Sequence, residues 1–222
     1  MNMVASGPQN ALACMQGGYG YVSDIDVRDS RQLLEKVLKP QIEEAAAGRR
    51  TLVALDCGAG VGRVAKELLL HIFQEVDLLE PSQHLLEAAE KDLKRNSKKL
   101  QSPPNHRAVN FYLNGLQNHV FEHQRYDTIW IQWCLLYLTD DDVVLLFNRC
   151  RSGLKPDGLI FVKENICRQG FIVDKEDSSL TRSNAYMQEL FEKANMQLLY
   201  NVKQRQFPKE LFEVRMYALR PR

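Results

Sequence analysis

The stretch Thr51–Arg63 reads TLVALDCGAGVGR: an apolar, β-branched run that ends on Asp56 and breaks into three alternating glycines, Gly58, Gly60 and Gly62, before a helical pattern begins. A strand that feeds a glycine-rich turn at a helix N-terminus lets backbone N–H groups and bare Cα atoms approach a nucleotide closely. Dinucleotide folds use GxGxxG, whose third glycine packs helix on strand, and Gly62 followed by Arg63 departs from that spacing. A second acid, Glu80, ends the apolar segment Val76–Leu79 and lies 22 residues beyond Gly58, which suits a carboxylate accepting both ribose hydroxyls. A ligand-free strand-to-helix turn is the plain alternative. The acid at the second strand end weighs against it.

Around this stretch, apolar β-rich segments recur at Leu52–Leu55, Val76–Leu79, Val109–Leu113, Thr128–Ile131 and Leu159–Val162, separated by segments of helical period. Such alternation predicts a parallel sheet flanked by helices. Val64, Leu68 and Ile72 follow helical spacing after the first strand, and Leu85, Leu86, Ala89 and Leu93 line one helix face after the second. Thr139 before three aspartates reads as a helix cap, with Gly153 and a Pro156-Asp157-Gly158 turn as the stop. After a helix around Ser183–Lys193, the segments Gln197–Lys203 and Glu213–Leu219 read as an antiparallel hairpin closing the sheet. The fold expected is α/β: a doubly wound, seven-stranded, mostly parallel sheet with a C-terminal antiparallel hairpin.

With 222 residues, 45% hydrophobic and 26% charged, the chain suffices for one sizeable core. The expected organisation is a mobile arm or lid over residues 1–20, then a single domain over 21–222. A net charge of +1 provides no global field toward nucleic acid or anionic membrane. Five cysteines stand without CxxC spacing, which argues for reduced thiols and a cytoplasmic or nuclear setting. No apolar run approaches the roughly 20 residues of a membrane span, and the N-terminus lacks a signal pattern. A monomer is expected. His119 and His123 in HVFEH have the i, i+4 spacing of a helical metal pair, but no third ligand motif accompanies them, and no metal is expected.

In doubly wound sheets, ligands gather at the carboxyl ends of the strands. Here those positions hold Gly58–Arg63, then Glu80-Pro81-Ser82, Gly115-Leu116-Gln117, Gln132-Trp133 and Asn165. Apolar walls with amide side chains suit an adenosine moiety, and Asp56 stands where S-adenosylmethionine folds commonly turn a carboxylate toward the cofactor.

At these residues the chain resembles the α-N-terminal protein methyltransferases, from about Gly17 to Arg220. GGYG at Gly17–Gly20, LDCGAGVGR at Leu55–Arg63, GLQ at Gly115–Gln117, YDTIWIQW at Tyr126–Trp133, YLTD at Tyr137–Asp140 and DSS at Asp177–Ser179 carry the likeness. The resemblance implies S-adenosylmethionine as cofactor. It implies methyl transfer to the free α-amine of proteins beginning Xaa-Pro-Lys, with neither nucleic acid nor membrane as partner. It further implies cofactor contacts from Gly58, Gly60, Arg63, Glu80, Pro81, Ser82, Leu116, Gln117 and Gln132, with Arg63 pairing the methionine carboxylate. On the substrate side it implies Trp133 against the proline, Asn165 on the first residue, and an acidic channel of Asp174, Asp177 and Ser179. Gly17 and Gly18 would cover the peptide.

Three departures qualify the resemblance. Met1–Gln16 contains no aromatic residue where the family often has a Tyr-Trp pair, Tyr137 replaces a histidine, and Phe212 replaces a substrate-contacting tyrosine. Because a peptide α-amine titrates near about 7.7–8.0, an acceptor must take its proton. Asp177 is the candidate acceptor and Asn165 the group that holds the amine, with helix capping as the structural alternative for Asp177. Competing readings are a methyltransferase for small molecules or other acceptors and a catalytically silent cofactor-binding subunit. A nucleobase-amine enzyme would carry an Asn/Asp-Pro-Pro-aromatic tetrapeptide where this chain has Ile131-Gln132-Trp133-Cys134.

Overall fold

The computed structural model describes residues 23–95, 102–208 and 210–222. In chain order its regular elements are α1 (Ser23–Val37), α2 (Lys39–Ala46), β1 (Val53–Cys57), α3 (Arg63–Glu67), β2 (Glu75–Glu80), α4 (Gln83–Arg95), β3 (Arg107–Leu113), β4 (Tyr126–Gln132) and α5 (Asp140–Gly153). Then follow β5 (Leu154–Ile166), β6 (Phe171–Asp174), β7 (Ser179–Arg182), α6 (Asn184–Lys193), β8 (Met196–Lys203) and β9 (Glu213–Pro221). Seven strands form one sheet in the order β3-β2-β1-β4-β5-β9-β8, while β6 and β7 form a separate two-stranded hairpin. The pairs from β3 to β5 are parallel and those made by β9 are antiparallel. The order reverses between β1 and β4, the switch point where an open sheet leaves a crevice.

Apolar side chains cover both sheet faces. One cluster joins Tyr126, Ile129, Val162 and Tyr217 to Phe147 of α5 and Phe191 of α6; the other joins Trp130, Phe161 and Met216 to Leu34 of α1 and Ala89 of α4. Burial on both faces explains why the central strands read as apolar runs instead of alternating. Among the described residues, no helix is long and apolar enough to cross a membrane.

Several local expectations need correction. The helix after the glycines ends at Glu67, and a 3-10 turn, Leu69–His71, follows, although Leu68 and Ile72 are buried as the spacing suggested. Pro156-Asp157-Gly158 lies inside β5, where the register against β4 shifts between Tyr126 and Thr128. A Cβ on Gly158 would lie 2.7 Å from the Tyr126 carbonyl oxygen, so glycine permits this irregularity. The helix expected to follow DSS is capped by Ser183, whose Oγ accepts from the Tyr186 N–H at 3.3 Å. Thr139 caps α5 as expected, accepting from Asp142 N–H at 3.2 Å. HVFEH is irregular chain, so its histidines do not share a helix face, and the His119 ring packs between Tyr112 and Phe121. The arm over residues 1–20, with Gly17 and Gly18, lies outside the described residues.

Candidate active site

β1 pairs with both neighbours as far as Cys57, and the glycine turn starts at the next residue. Gly58 and Gly60 have φ of +67° and +56°, a region costly for residues with a Cβ. A Cβ on Gly58 would also meet that of Cys134 at 2.9 Å. The N–H groups of Gly58 and Ala59 donate to the Leu79 carbonyl at 2.9 and 3.1 Å. Glu80 completes the brace: its Oε2 accepts from Gly60 N–H and its Oε1 from Ser82 N–H, each at 2.9 Å. The carboxylate is 6% exposed, and each oxygen keeps a lone pair for a further donor. The loop's N–H groups are therefore largely spent inside the protein. What the turn offers a ligand is bare Cα surface beside an acceptor.

Asp56 is buried, and its Oδ2 accepts from Ala65 N–H at 3.0 Å, capping α3. Burial pushes its carboxyl up to about 7, against the opposing pull of that N–H and of Arg63.

Beside the glycine turn, four elements meet in a buried polar cluster centred on Asp26 of α1. Arg63 Nη1 pairs with Asp26 Oδ2 at 2.9 Å and donates to Ser23 Oγ at 3.1 Å. Gln132 Nε2 lies 3.1 Å from both Asp26 oxygens, while its Oε1 accepts from Trp130 Nε1 at 3.0 Å. Lys163 pairs closely with Asp26 Oδ1 and also donates to Ser30 Oγ and Gln204 Oε1. Burial opposes ionisation of Asp26, but Lys163 and Arg63 hold its carboxyl below the ordinary range. Neither Nε nor Nη2 of Arg63 has a hydrogen-bond partner among the described residues.

Trp133 lies half-buried just past β4, with φ +52° and its N–H bonded to the Lys163 carbonyl at 2.9 Å. Its ring centroid lies 5.7 Å from the Arg63 guanidinium carbon, and its Nε1 is buried without a partner among the described residues. The turn beyond is pinned from β5: Glu164 Oε1 accepts from Cys134 and Leu135 N–H at 2.9 and 2.8 Å. Burial pushes the Glu164 carboxyl up to about 8, and its Oε2 has no partner among the described residues. Asn165 follows, half-buried at the end of β5. Tyr137 is 56% exposed; burial first, then Asp177 and Glu164, holds its hydroxyl proton more tightly than usual. Asp177 lies in the exposed turn between β6 and β7 and accepts from Ser179 N–H at 3.0 Å, which excludes the helix-cap alternative. Asp174 accepts from Glu176 N–H at 2.8 Å in the same turn. Pro81 and Gln117 are exposed on the loops after β2 and β3, whereas Leu116 is buried. Phe212, 43% exposed, lines a cleft with Gln204, Phe207 and Leu211.

A family model described as AdoMet dependent proline di-methyltransferase matches residues 6–220. The chain belongs to that family. Among the relatives of this family member, the Alpha N-terminal protein methyltransferase 1 of Oryza sativa subsp. indica is 50% identical over 203 residues, covering 91% of this chain and 64% of the rice protein. The N-terminal Xaa-Pro-Lys N-methyltransferase 1 of Danio rerio is 41% identical over 206 residues, covering 93% of this chain and 87% of that protein. A solved Leishmania major structure, described as a SAM-dependent methyltransferase, superposes with a TM-score of 0.79 at 37% identity, covering 94% of this chain and 77% of that one.

Of the residues expected at the site, Gly58, Gly60, Arg63, Glu80, Ser82 and Gln132 stand together where β1, β2 and β4 end. Trp133 and Asn165 stand at the ends of β4 and β5, and Asp174, Asp177 and Ser179 share the hairpin. The sequence reading missed Asp26, Lys163, Glu164 and Gln204. A lysine and a glutamate interrupting the apolar run LIFVKEN were the available signal.

Proposed function

We propose that the chain transfers methyl groups from S-adenosylmethionine to the free α-amine of proteins whose exposed N-terminus reads Xaa-Pro-Lys, and does so repeatedly. The observation that carries this reading is the likeness over 93% of the chain to a relative whose name states that acceptor. The site suits the cofactor: Glu80 retains acceptor capacity beside Gly58 and Gly60, and Arg63 keeps Nε and Nη2 without a hydrogen-bond partner among the described residues. When bound, S-adenosylmethionine supplies a methyl group already activated on a sulfonium.

The chain's own residues then have three tasks. Glu80 accepts from the ribose hydroxyls and Arg63 pairs the methionine carboxylate, with Gly58, Gly60, Pro81, Ser82, Leu116, Gln117 and Gln132 forming the surround. Trp133 packs the substrate proline, and its ring face tolerates a growing methylammonium through cation–π attraction of about 0.5–2 kcal/mol. Asn165 holds the amine in line, Asp177 accepts its proton, and Asp174 with Ser179 receives the substrate lysine. Alignment of amine and methyl provides most of the acceleration, since oriented reactions gain on the order of 7–11 kcal/mol. A cytoplasmic or nuclear location and a monomeric state fit this reading.

The test is turnover of a peptide beginning Ser-Pro-Lys, read by tandem mass spectrometry. Methylation on the α-nitrogen is expected, with no reaction of the acetylated peptide and none when glutamate replaces the lysine. A methyl on the lysine side chain overturns the α-amine reading. Cofactor binding without turnover of any such peptide favours the silent subunit.

A further inference from the structure

Lys163 is wholly buried in the middle of a sheet, a position a cation rarely occupies without a purpose. Four acceptors surround its Nζ: the Asp26 carboxylate, the Asp26 carbonyl at 3.0 Å, Ser30 Oγ at 2.8 Å and Gln204 Oε1 at 2.7 Å. Ser30 spends its own proton on the Asp26 carbonyl at 2.7 Å, so none of the four offers Nζ a hydrogen. With Asp26 held ionised, the ammonium form, with three donors and no acceptor, satisfies such a shell, and Asp26 opposes the burial that pulls Lys163 below its ordinary range.

Around Asp26 itself the charges do not cancel: Arg63 and Lys163 are cations flanking one buried anion, which leaves one positive charge. Two further acids stand near: Asp56, which also feels Arg63, is pushed by burial up to about 7, and Asp29, which feels Lys163, is answered by Arg28 and Arg205. Glu67 approaches Arg63 Nη1 only to 3.8 Å, and its side chain is 40% exposed, so solvent screens it. Without Lys163, Asp26 would face Arg63 alone, and the pair would be neutral.

We propose that Lys163 is a positioning residue for the cofactor: by serving as the counter-ion of Asp26, it lets Asp26 orient Arg63 without consuming the positive charge that Arg63 presents to the cofactor's carboxylate. The proposal rests on the reading of Arg63 given above. Asp26 pins one guanidinium nitrogen and one amide of Gln132, and Lys163 balances Asp26 from the opposite side. Arg63 is thus held by Asp26, while Lys163 offsets the charge that Asp26 would otherwise take from it. A methionine at 163 would keep the volume and remove the charge.

Titration calorimetry with two ligands separates this role from a structural one. S-adenosylmethionine carries the carboxylate; decarboxylated S-adenosylmethionine keeps the sulfonium and ammonium and lacks it. Lys163→Met is expected to weaken binding of the first at least tenfold while changing the second less than threefold. The double variant Asp26→Asn with Lys163→Met restores a single positive charge and is expected to recover affinity for S-adenosylmethionine to within about threefold of the wild-type chain, in line with the general tolerance for exchanging both members of a buried pair. Equal weakening of both ligands by Lys163→Met, or none, overturns the proposal. Should the single variant fail to fold, a folded double variant that binds S-adenosylmethionine more than tenfold weaker than wild type overturns it as well. A wild-type chain that binds both ligands equally overturns this proposal alone, whereas one that binds neither overturns the functional reading with it.

Discussion

Replacing Glu80 by glutamine changes one atom of the brace that holds the cofactor loop. Both carboxylate oxygens accept a backbone N–H at 2.9 Å, from Gly60 on one side and Ser82 on the other. An amide retains one acceptor and turns an NH2 group toward the other N–H, leaving two donors opposed in a site only 6% exposed. Loss of one charge-assisted bond with its partner left unsatisfied costs about 1–3 kcal/mol. For a chain of this size each kcal/mol is worth roughly 2–4 °C in Tm, so the cofactor-free protein should melt about 5 °C lower. A ribose hydroxyl that loses its ionised acceptor should cost a further ~1.5–3 kcal/mol, a ten- to hundredfold rise in the Kd for S-adenosylmethionine. Differential scanning calorimetry and isothermal titration read the two effects separately. A lower Tm with unchanged Kd would mean that Glu80 braces the loop without touching the ribose. An unchanged Tm would refute the brace itself.

Two further outcomes are expected. Asp177→Asn should lower kcat on the order of 10²-fold or more, while Tyr137→Phe, which removes a tightly held hydroxyl proton, should cost about tenfold or less, both with cofactor binding retained; equal large losses would place the tyrosine on the proton route. Glu164, held near 8 when folded against an ordinary glutamate value of about 4.3, keeps a proton that the unfolded chain has released, so this group makes stability fall as pH rises through that window. Glu164→Gln keeps an acceptor for Cys134 and Leu135 and removes the titration; urea melts should show the variant gaining on wild type by up to about 1.4 kcal/mol per pH unit between about pH 5 and 8, and parallel curves would show that the carboxyl does not titrate there.

The sheet was legible because it announces itself locally. Apolar segments buried on both faces, broken by glycines and acids at regular intervals, specify a parallel sheet with helices wherever they occur, and the five parallel strands and final hairpin lie within a few residues of their expected bounds. Glycine at 58 and 60 and acid at 80 were legible for the same reason: a positive-φ turn and a strand-end carboxylate are properties of short stretches. Local pattern also placed Thr139 as a cap. It failed at Asp177, where the turn belongs to a hairpin whose exposed strand, Phe171–Asp174, carries no burial alternation to reveal it.

What tertiary structure alone decided is the company each polar group keeps. Helix α1 buries Asp26, Asp29 and Ser30 along with Leu33 and Leu34, so its inward face has no apolar period to be read; packing against β4, β5 and the glycine turn gives Asp26 and Ser30 their partners, and Arg205 beyond β8 gives Asp29 its own. Asp26 lies 37 residues from Arg63 and 137 from Lys163 in the chain, and no spacing rule connects them. Gln132, expected at the cofactor, also bonds Trp130 and Asp26, and the partner 106 residues away is one that no local pattern reveals. Periodicity reports which side of an element is dry. The pairing of charges is set by elements that meet only after folding, and the net charge left beside Arg63 exists only in the assembled fold.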